Sequence, residues 1–377
     1  MFLLLSVFYY FYFSIIGIYV IFLPKVLSDL GYSGSEIGII FAAAPLVRFV
    51  LPFLFMRGLE LNSRLFYIAL WITLVSAGSF FLAIGNFYAL LVSNIFFGVG
   101  LSLILPYVEL IALESIGKER YGKVRLYGSL GFIVVALVLV KFLHTYMVAL
   151  SALLALSIIM AVVAFFIARR VAHTQTQQKE SGSEHFSLLA DWKLWVSFFL
   201  MQASFGSFYN FFTIYETDLG ISLDMTIYLW SFGVIVEVLM LFVQGRFLQN
   251  NLLSILRFTI LATAFRWYLL YLYGDRLSIV FLAQSLHALS FALFHSAAIS
   301  YLYMHFNNKA LAQQFFSGIS YGLGGLLGAV VAGYIYEYFA AYLFAISAWI
   351  ALGSFVMMVW YQQERSHSGE HKHTSSP

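Results

Sequence analysis

The chain has no cysteine, only five prolines and very little charge. The missing cysteines exclude disulfides, thiolate metal sites, iron–sulfur clusters and cysteine nucleophiles, and leave the redox compartment open. Asp, Glu, Lys and Arg make up 10% of the 377 residues, against 62% hydrophobic side chains and a mean hydropathy of +0.90. So few polar groups cannot cover a soluble protein, so the bilayer must be the solvent. Enzyme signatures are also missing: His287 and His295 have no His-Glu-x-x-His arrangement, and there is no Gly-x-Ser-x-Gly elbow, nucleotide loop or Asp-rich metal motif. No catalytic activity, metal or cofactor is expected. The net charge of +3 and pI near 8.8 carry less meaning than the placement of the charges, and nucleic-acid binding is not expected.

A membrane-spanning helix needs about 20 apolar residues, which leaves room for roughly twelve spans and no sizeable soluble domain. The first run starts at Phe2 with no basic segment or small-residue cleavage site before Pro24-Lys25, so it reads as a true span and not a signal peptide. Six runs fill residues 1–168 and six more fill 194–361, separated by a polar linker at 169–193 and followed by a His- and Ser-rich tail at 362–377 that is expected to be disordered. The runs are too long and too continuously apolar for barrel strands, so the expected fold is all-α, with twelve transmembrane helices in two six-helix halves. With the N-terminus cytoplasmic, 15 of the 20 Lys and Arg lie on the cytoplasmic side, three (Lys25, Lys141 and Arg276) lie outside, and Arg48 and Arg266 lie within spans. Both termini are therefore expected in the cytoplasm.

An offset of 189 residues relates the halves: Gly31-Tyr32-Ser33 to Gly220-Ile221-Ser222, Arg48 to Glu237, Arg57 to Arg246, and Arg125 to Gln314. A six-helix parallel repeat places a cavity between its copies. Chance matching of Gly, Ser and apolar residues is the competing explanation.

Charges at bilayer depth are costly and must be paired or line a wet cavity. Arg48, Glu109, Glu237 and Arg266 are in this position, and their charges sum to zero. His287 and His295 on helix 10 add the side chains whose ordinary pKa lies closest to physiological pH. On the functional reading, Glu237 pairs with Arg266, with the histidines beside them, and protonation of Glu237 releases Arg266 or changes the energy of closing the cavity. On the bland reading, Arg48–Glu109 and Glu237–Arg266 are inert pairs and the histidines bond backbone carbonyls. Arg125 could reach Glu109 across the hairpin. Among the many aromatics, Trp230 lies seven residues before Glu237 on the same helical face and is a candidate substrate contact, with Tyr209 and Asn210 on helix 7 beside it. Tyr228, Trp267 and Gln284 are second-tier cavity candidates.

These residues resemble a known family. Twelve spans in two halves are similar to the major facilitator superfamily. The block Tyr121-Gly122-Lys123-Val124-Arg125-Leu126-Tyr127-Gly128-Ser129, Tyr228-Leu229-Trp230-Ser231 ahead of Glu237, Phe265-Arg266-Trp267, and the helix carrying His287 and His295 resemble the phenylpropionate permease group across nearly the whole chain. That group is related to the lactose permease and the nucleoside–proton symporters. The resemblance implies proton coupling through Glu237, Arg266 and His295, with His287 nearby. It also implies substrate binding by Glu109 and Arg125, alongside Arg48 or Arg266 for an anion. Two features depart from the pattern: Ala298 stands where the lactose permease has an acidic residue one turn beyond the helix-10 histidine, and the loop from Arg57 to Arg64 is a degenerate version of the superfamily loop.

The expectation is a monomeric proton symporter of a bacterial inner membrane, in contact with lipid and importing a small molecule such as an aromatic carboxylate. A sugar or nucleoside is the second choice of substrate. A membrane enzyme or a sensor that does not transport is a remote alternative.

Overall fold

The computed structural model describes residues 1–171, 188–249 and 251–373; most of the expected 169–193 linker, including Lys179, falls outside them. The described residues are helical, with short turns between helices and no strand.

Ten helices among them are long and apolar enough to cross a membrane. The first six are α1 (Phe2–Asp29), α2 (Gly34–Met56), α3 (Ser63–Ala83), α4 (Phe87–Gly117), α5 (Arg120–Leu139) and α6 (Tyr146–Val171). The next helix, α7, is in two halves, Trp192–Ser204 and Gly206–Asp218, with a turn at Phe205 that leaves each half too short to count as a span alone. It is followed by α8 (Leu223–Val243), α9 (Leu252–Tyr273) and α10 (Leu277–His305). The final apolar stretch, Leu311–Arg365, divides into α11 (309–339) and α12 (Leu343–His373). The backbone of α12 stays helical to His373, into the tail expected to be disordered from Gln362; residues 374–377 lie outside the described residues.

The 189-residue repeat is visible in backbone detail. Gly31 and Gly220 take φ of 89° and 88°, a left-handed turn that glycine adopts freely, and two residues later Ser33 and Ser222 cap α2 and α8. Gly117, at φ 74°, separates α4 from α5.

Within each half, small residues let backbones touch. On α5, a β-carbon at Gly131 would lie 2.1 Å from the Tyr10 carbonyl oxygen of α1, and the Ser14 hydroxyl donates to the Gly131 carbonyl at 3.0 Å. On α7, a β-carbon at Gly206 would lie 2.2 Å from the backbone of Gly328 on α11. The pairs α1/α5 and α7/α11 are thus equivalent glycine-mediated contacts.

Three interfaces join the halves. Helix α2 lies along α11, where Gly34 and Gly38 meet Gly333 and Ala329 at one end and Phe49 meets Gly322 further along. Phe132 of α5 lies 6.4 Å from Trp230 of α8, between ring centroids. The last third of α1 packs on the second half of α7. At the Gly31/Gly220 end, the Ser35 backbone N–H at the start of α2 donates to Glu337 of α11 at 2.8 Å, which fastens the two halves together there.

Candidate functional site

The site is built around breaks in helical regularity. Residues Ala288–Leu293 of α10 and Ser317–Gly324 of α11 form wide π-type turns, and such turns concentrate at functional sites. His287 stands just before the first turn, His295 just after it, and Tyr321 within the second.

Arg266 of α9 is completely buried. Its guanidinium donates to His287 Nδ1 at 2.9 Å, to the Ser290 hydroxyl at 3.1 Å and to Gln284 Oε1 at 2.9 Å. Its carbon lies 4.4 Å from the centre of the Phe208 ring and 4.5 Å from that of Trp267. The expected Glu237–Arg266 ion pair is not formed, because the imidazole of His287 stands between them, with Nε2 3.4 Å from Glu237 Oε2. An arginine can only donate, so Nδ1 of His287 must be bare and its proton sits on Nε2, facing Glu237. The result is a directional chain, Arg266 to His287 to Glu237.

The alternative Arg48–Glu109 pair is also absent. Glu109 of α4 accepts from Arg125 of α5 at 2.7 Å and from the Tyr121 hydroxyl at 2.8 Å. The hairpin between α4 and α5 brings these groups together, since Tyr121 and Arg125 are one helical turn apart. Among the described residues, Arg48 has no hydrogen bond or ion pair of its own and its side chain is exposed. It lies within electrostatic reach of Tyr12 on α1, Tyr209 on α7 and Tyr321 on α11, and Tyr321 is also within reach of Glu237 and Arg125. Charged groups from both halves therefore surround one central space. Adding Arg125 to the four charges singled out from the sequence makes three cations and two carboxylates, an excess of one positive charge located on Arg48.

The remaining candidates have more specific places. His295 Nδ1 lies 2.7 Å from the Tyr321 hydroxyl, and the Phe291 ring is stacked between the two histidines. Trp230 is buried among Phe208, Phe212 and Phe132, and its Nε1–H donates to Thr213, so it serves the contact between halves more than the open space. Asn210 bonds back to the Gly206 carbonyl beside the α7 break, and Tyr209 stacks on Phe205. Tyr321 and Ser290 are not singled out by the sequence, and Tyr121 stands in the family-resembling block without a role of its own. Tyr121 could have been found from its spacing to Arg125, but nothing marks Tyr321 within its glycine-rich run.

This arrangement can be compared with known proteins. Residues 2–346 match the MFS_1-like family. The chain belongs to that family. It is therefore a multi-pass membrane transporter of the major facilitator kind, not an enzyme. The chain is 26% identical over 371 residues to the probable 3-phenylpropionic acid transporter of Escherichia coli, covering 91% of this chain and 93% of that one. Its fold is similar to the nucleoside transporter NupG, with a TM-score of 0.76 at 18% identity over 96% of this chain and 98% of that one. It is also similar to the Escherichia coli fucose:proton symporter FucP, with a TM-score of 0.60 at 13% identity over 96% and 98% of the two chains.

Proposed function

We propose that this transporter imports an aromatic carboxylate together with a proton, by rocking its two halves about the central site. The observation that carries the reading is Arg48, a cation at the edge of the central space that no carboxylate neutralises. A charge at bilayer depth is paired or faces a wet cavity, and for Arg48, which is exposed and unpaired, the partner is the substrate anion. Tyr12, Tyr209 and Tyr321 around it offer aromatic faces and hydroxyls to a flat acid. The similarity to the probable 3-phenylpropionic acid transporter supports the same substrate class.

The proton belongs to the Glu237–His287 pair. Arg266 keeps Nδ1 of His287 occupied as an acceptor, so the Glu237 carboxylate is the group free to take a proton. A monoanion and one proton together leave the cavity charge as it is in the empty protein, whereas either alone changes it. A proton alone would add to the excess positive charge of the site, and the bound anion offsets that excess, so anion binding favours protonation of Glu237 and couples the two. The lysine and arginine distribution supports both termini in the cytoplasm, and the contacts at the Gly31/Gly220 end suit a carrier closed to the outside. We place it in a bacterial inner membrane, working as a monomer.

Uptake of labelled 3-phenylpropionate into proteoliposomes under an inward pH gradient tests this reading, with 3-phenylpropanol as the uncharged competitor. Arg48→Gln should weaken carboxylate binding roughly 10- to 100-fold, the worth of a charge-assisted hydrogen bond. Equal competition by the alcohol would remove the anion from the account. It would leave the sugar or nucleoside reading, for which the partly open Glu109–Arg125–Tyr121 group is the supporting observation.

A further inference from the structure

Glu216, near the end of α7, is the one carboxyl group among the described residues that is fully buried with both oxygens lacking any hydrogen-bond partner. Burial without a donor is prohibitive for a charged carboxylate, so the group sits there as the neutral acid. Its position is specific. Glu216 follows Tyr209 by seven residues, two helical turns, on the same face of α7 and roughly 10 Å further along the helix. Tyr209 faces the central space shared with Arg48 and Glu237, so Glu216 lies between that space and the Gly31/Gly220 end. There the last third of α1, from the other half, packs onto this part of α7.

The ionisable groups on the surrounding elements are already engaged or lie elsewhere. Lys25 and Asp29 of α1 pair with each other at 2.9 Å. Asp218 accepts from Tyr336 of α11, Glu337 of α11 accepts from Ser35, and Glu36 of α2 accepts from the Ser33 backbone. Asp224 opens α8, and Tyr271 of α9 and Asp275 after it act on Tyr215. Of these groups only the adjacent Tyr215 lies within electrostatic reach of Glu216, so the carboxyl has neither a counter-ion nor a donor in the closed arrangement.

We propose that Glu216 is a proton checkpoint on closure of the Gly31/Gly220 end. Its neutral acid form can be buried when the halves close over it, and its ionised form is stable only when they part and water enters. Closing therefore requires a proton on Glu216, and alkaline conditions hold this end open. The proton need not travel with the substrate. This role is separate from Glu237, which faces the central space, and it does not depend on what is carried.

The cysteine-free chain makes the test direct. Leu30→Cys and Leu219→Cys, exposed positions just beyond α1 and α7, accept spin labels whose separation is read by pulsed electron paramagnetic resonance in lipid nanodiscs without substrate. The otherwise unaltered protein should show a single short distance at acid pH and a growing longer one as pH rises, the open-to-closed ratio changing about tenfold per pH unit around its midpoint. Glu216→Gln should stay at the short distance throughout, and Glu216→Asp should keep the response at a shifted midpoint. The response should survive Asp29→Asn, Asp218→Asn and Asp275→Asn. A pH-independent distance in the unaltered protein, the same midpoint in Glu216→Gln, or loss of the response in any of the three Asn variants overturns the proposal. If Glu216→Gln does not fold, Glu216→Asp decides, and an unresponsive Asp variant counts against it.

Discussion

Arg266 and Arg48 show how differently two arginines at bilayer depth can be used. Arg266 has no exposed surface and its terminal guanidinium nitrogens donate to His287, Gln284 and Ser290, so it orients the imidazole and is closed to a solute in this conformation. Arg48 has no such commitments. Both were equally eligible as anion partners on sequence, since each is a lone cation in an apolar run. Glu237 also changes meaning, because its neighbour is a histidine whose proton points towards it rather than an arginine that would hold it ionised. Glu237→Gln should abolish pH-driven accumulation while leaving substrate exchange within a few-fold of normal, measured as counterflow in proteoliposomes loaded with unlabelled substrate. Loss of exchange along with accumulation would make Glu237 a binding or folding residue. The neighbours of these groups were less legible: Tyr321 reaches His295 only because a π-type turn in α11 rotates it there, and no local pattern announces such a turn.

At the level of elements, helix identity and most helix ends were readable, because apolar length and Ser or Asn caps act locally. Ser33 and Glu36 form a reciprocal capping box, and Asn62, Asn86 and Ser222 cap α3, α4 and α8. The break in α7 at Phe205 was not readable, since it answers to the backbone of α11 at Gly328. A second cluster, away from the central space, ties three elements together at the opposite end. Asp191, just before α7, accepts from Tyr361 of α12 at 2.9 Å and faces His305 of α10 at 3.2 Å. Burial raises the Asp191 carboxyl, but the hydrogen bonds from His305 and Tyr361 and the nearby Arg365 outweigh it and hold the group below the ordinary carboxylate value. A carboxyl depressed by folding stabilises the protein above its unfolded-state pKa, and that contribution is lost as pH falls through the folded value. Thermal unfolding should therefore show a loss of stability on acidification through the carboxylate range that Asp191→Asn lacks, with the variant less stable by about 1–2 kcal/mol near neutral pH. Parallel pH profiles for the two proteins would dismiss the clasp.

For the whole molecule, the relation between halves decides what each site can do. The α2/α11 contact brings Gly34 and Gly38 against Gly333 and Ala329, where a β-carbon on Gly333 would lie 2.5 Å from the Gly34 carbonyl oxygen. Gly333→Trp should wedge this end open: transport should fall to background while the substrate still stabilises the protein thermally, because the wedge lies far from Arg48. Normal transport in that variant would show that closure does not use this contact. Membrane residence, the all-helical fold and the matching glycine–serine turns 189 residues apart follow from the sequence, because they depend on the length and composition of each run and on turn chemistry within a few residues. The choice of Arg125 over Arg48 as partner of Glu109, the interposition of His287, the freedom of Arg48 and the isolation of Glu216 follow only from the tertiary structure. Each depends on which helices lie side by side, and charges equally spaced along a chain can find quite different partners once α4 meets α5 and α9 meets α10.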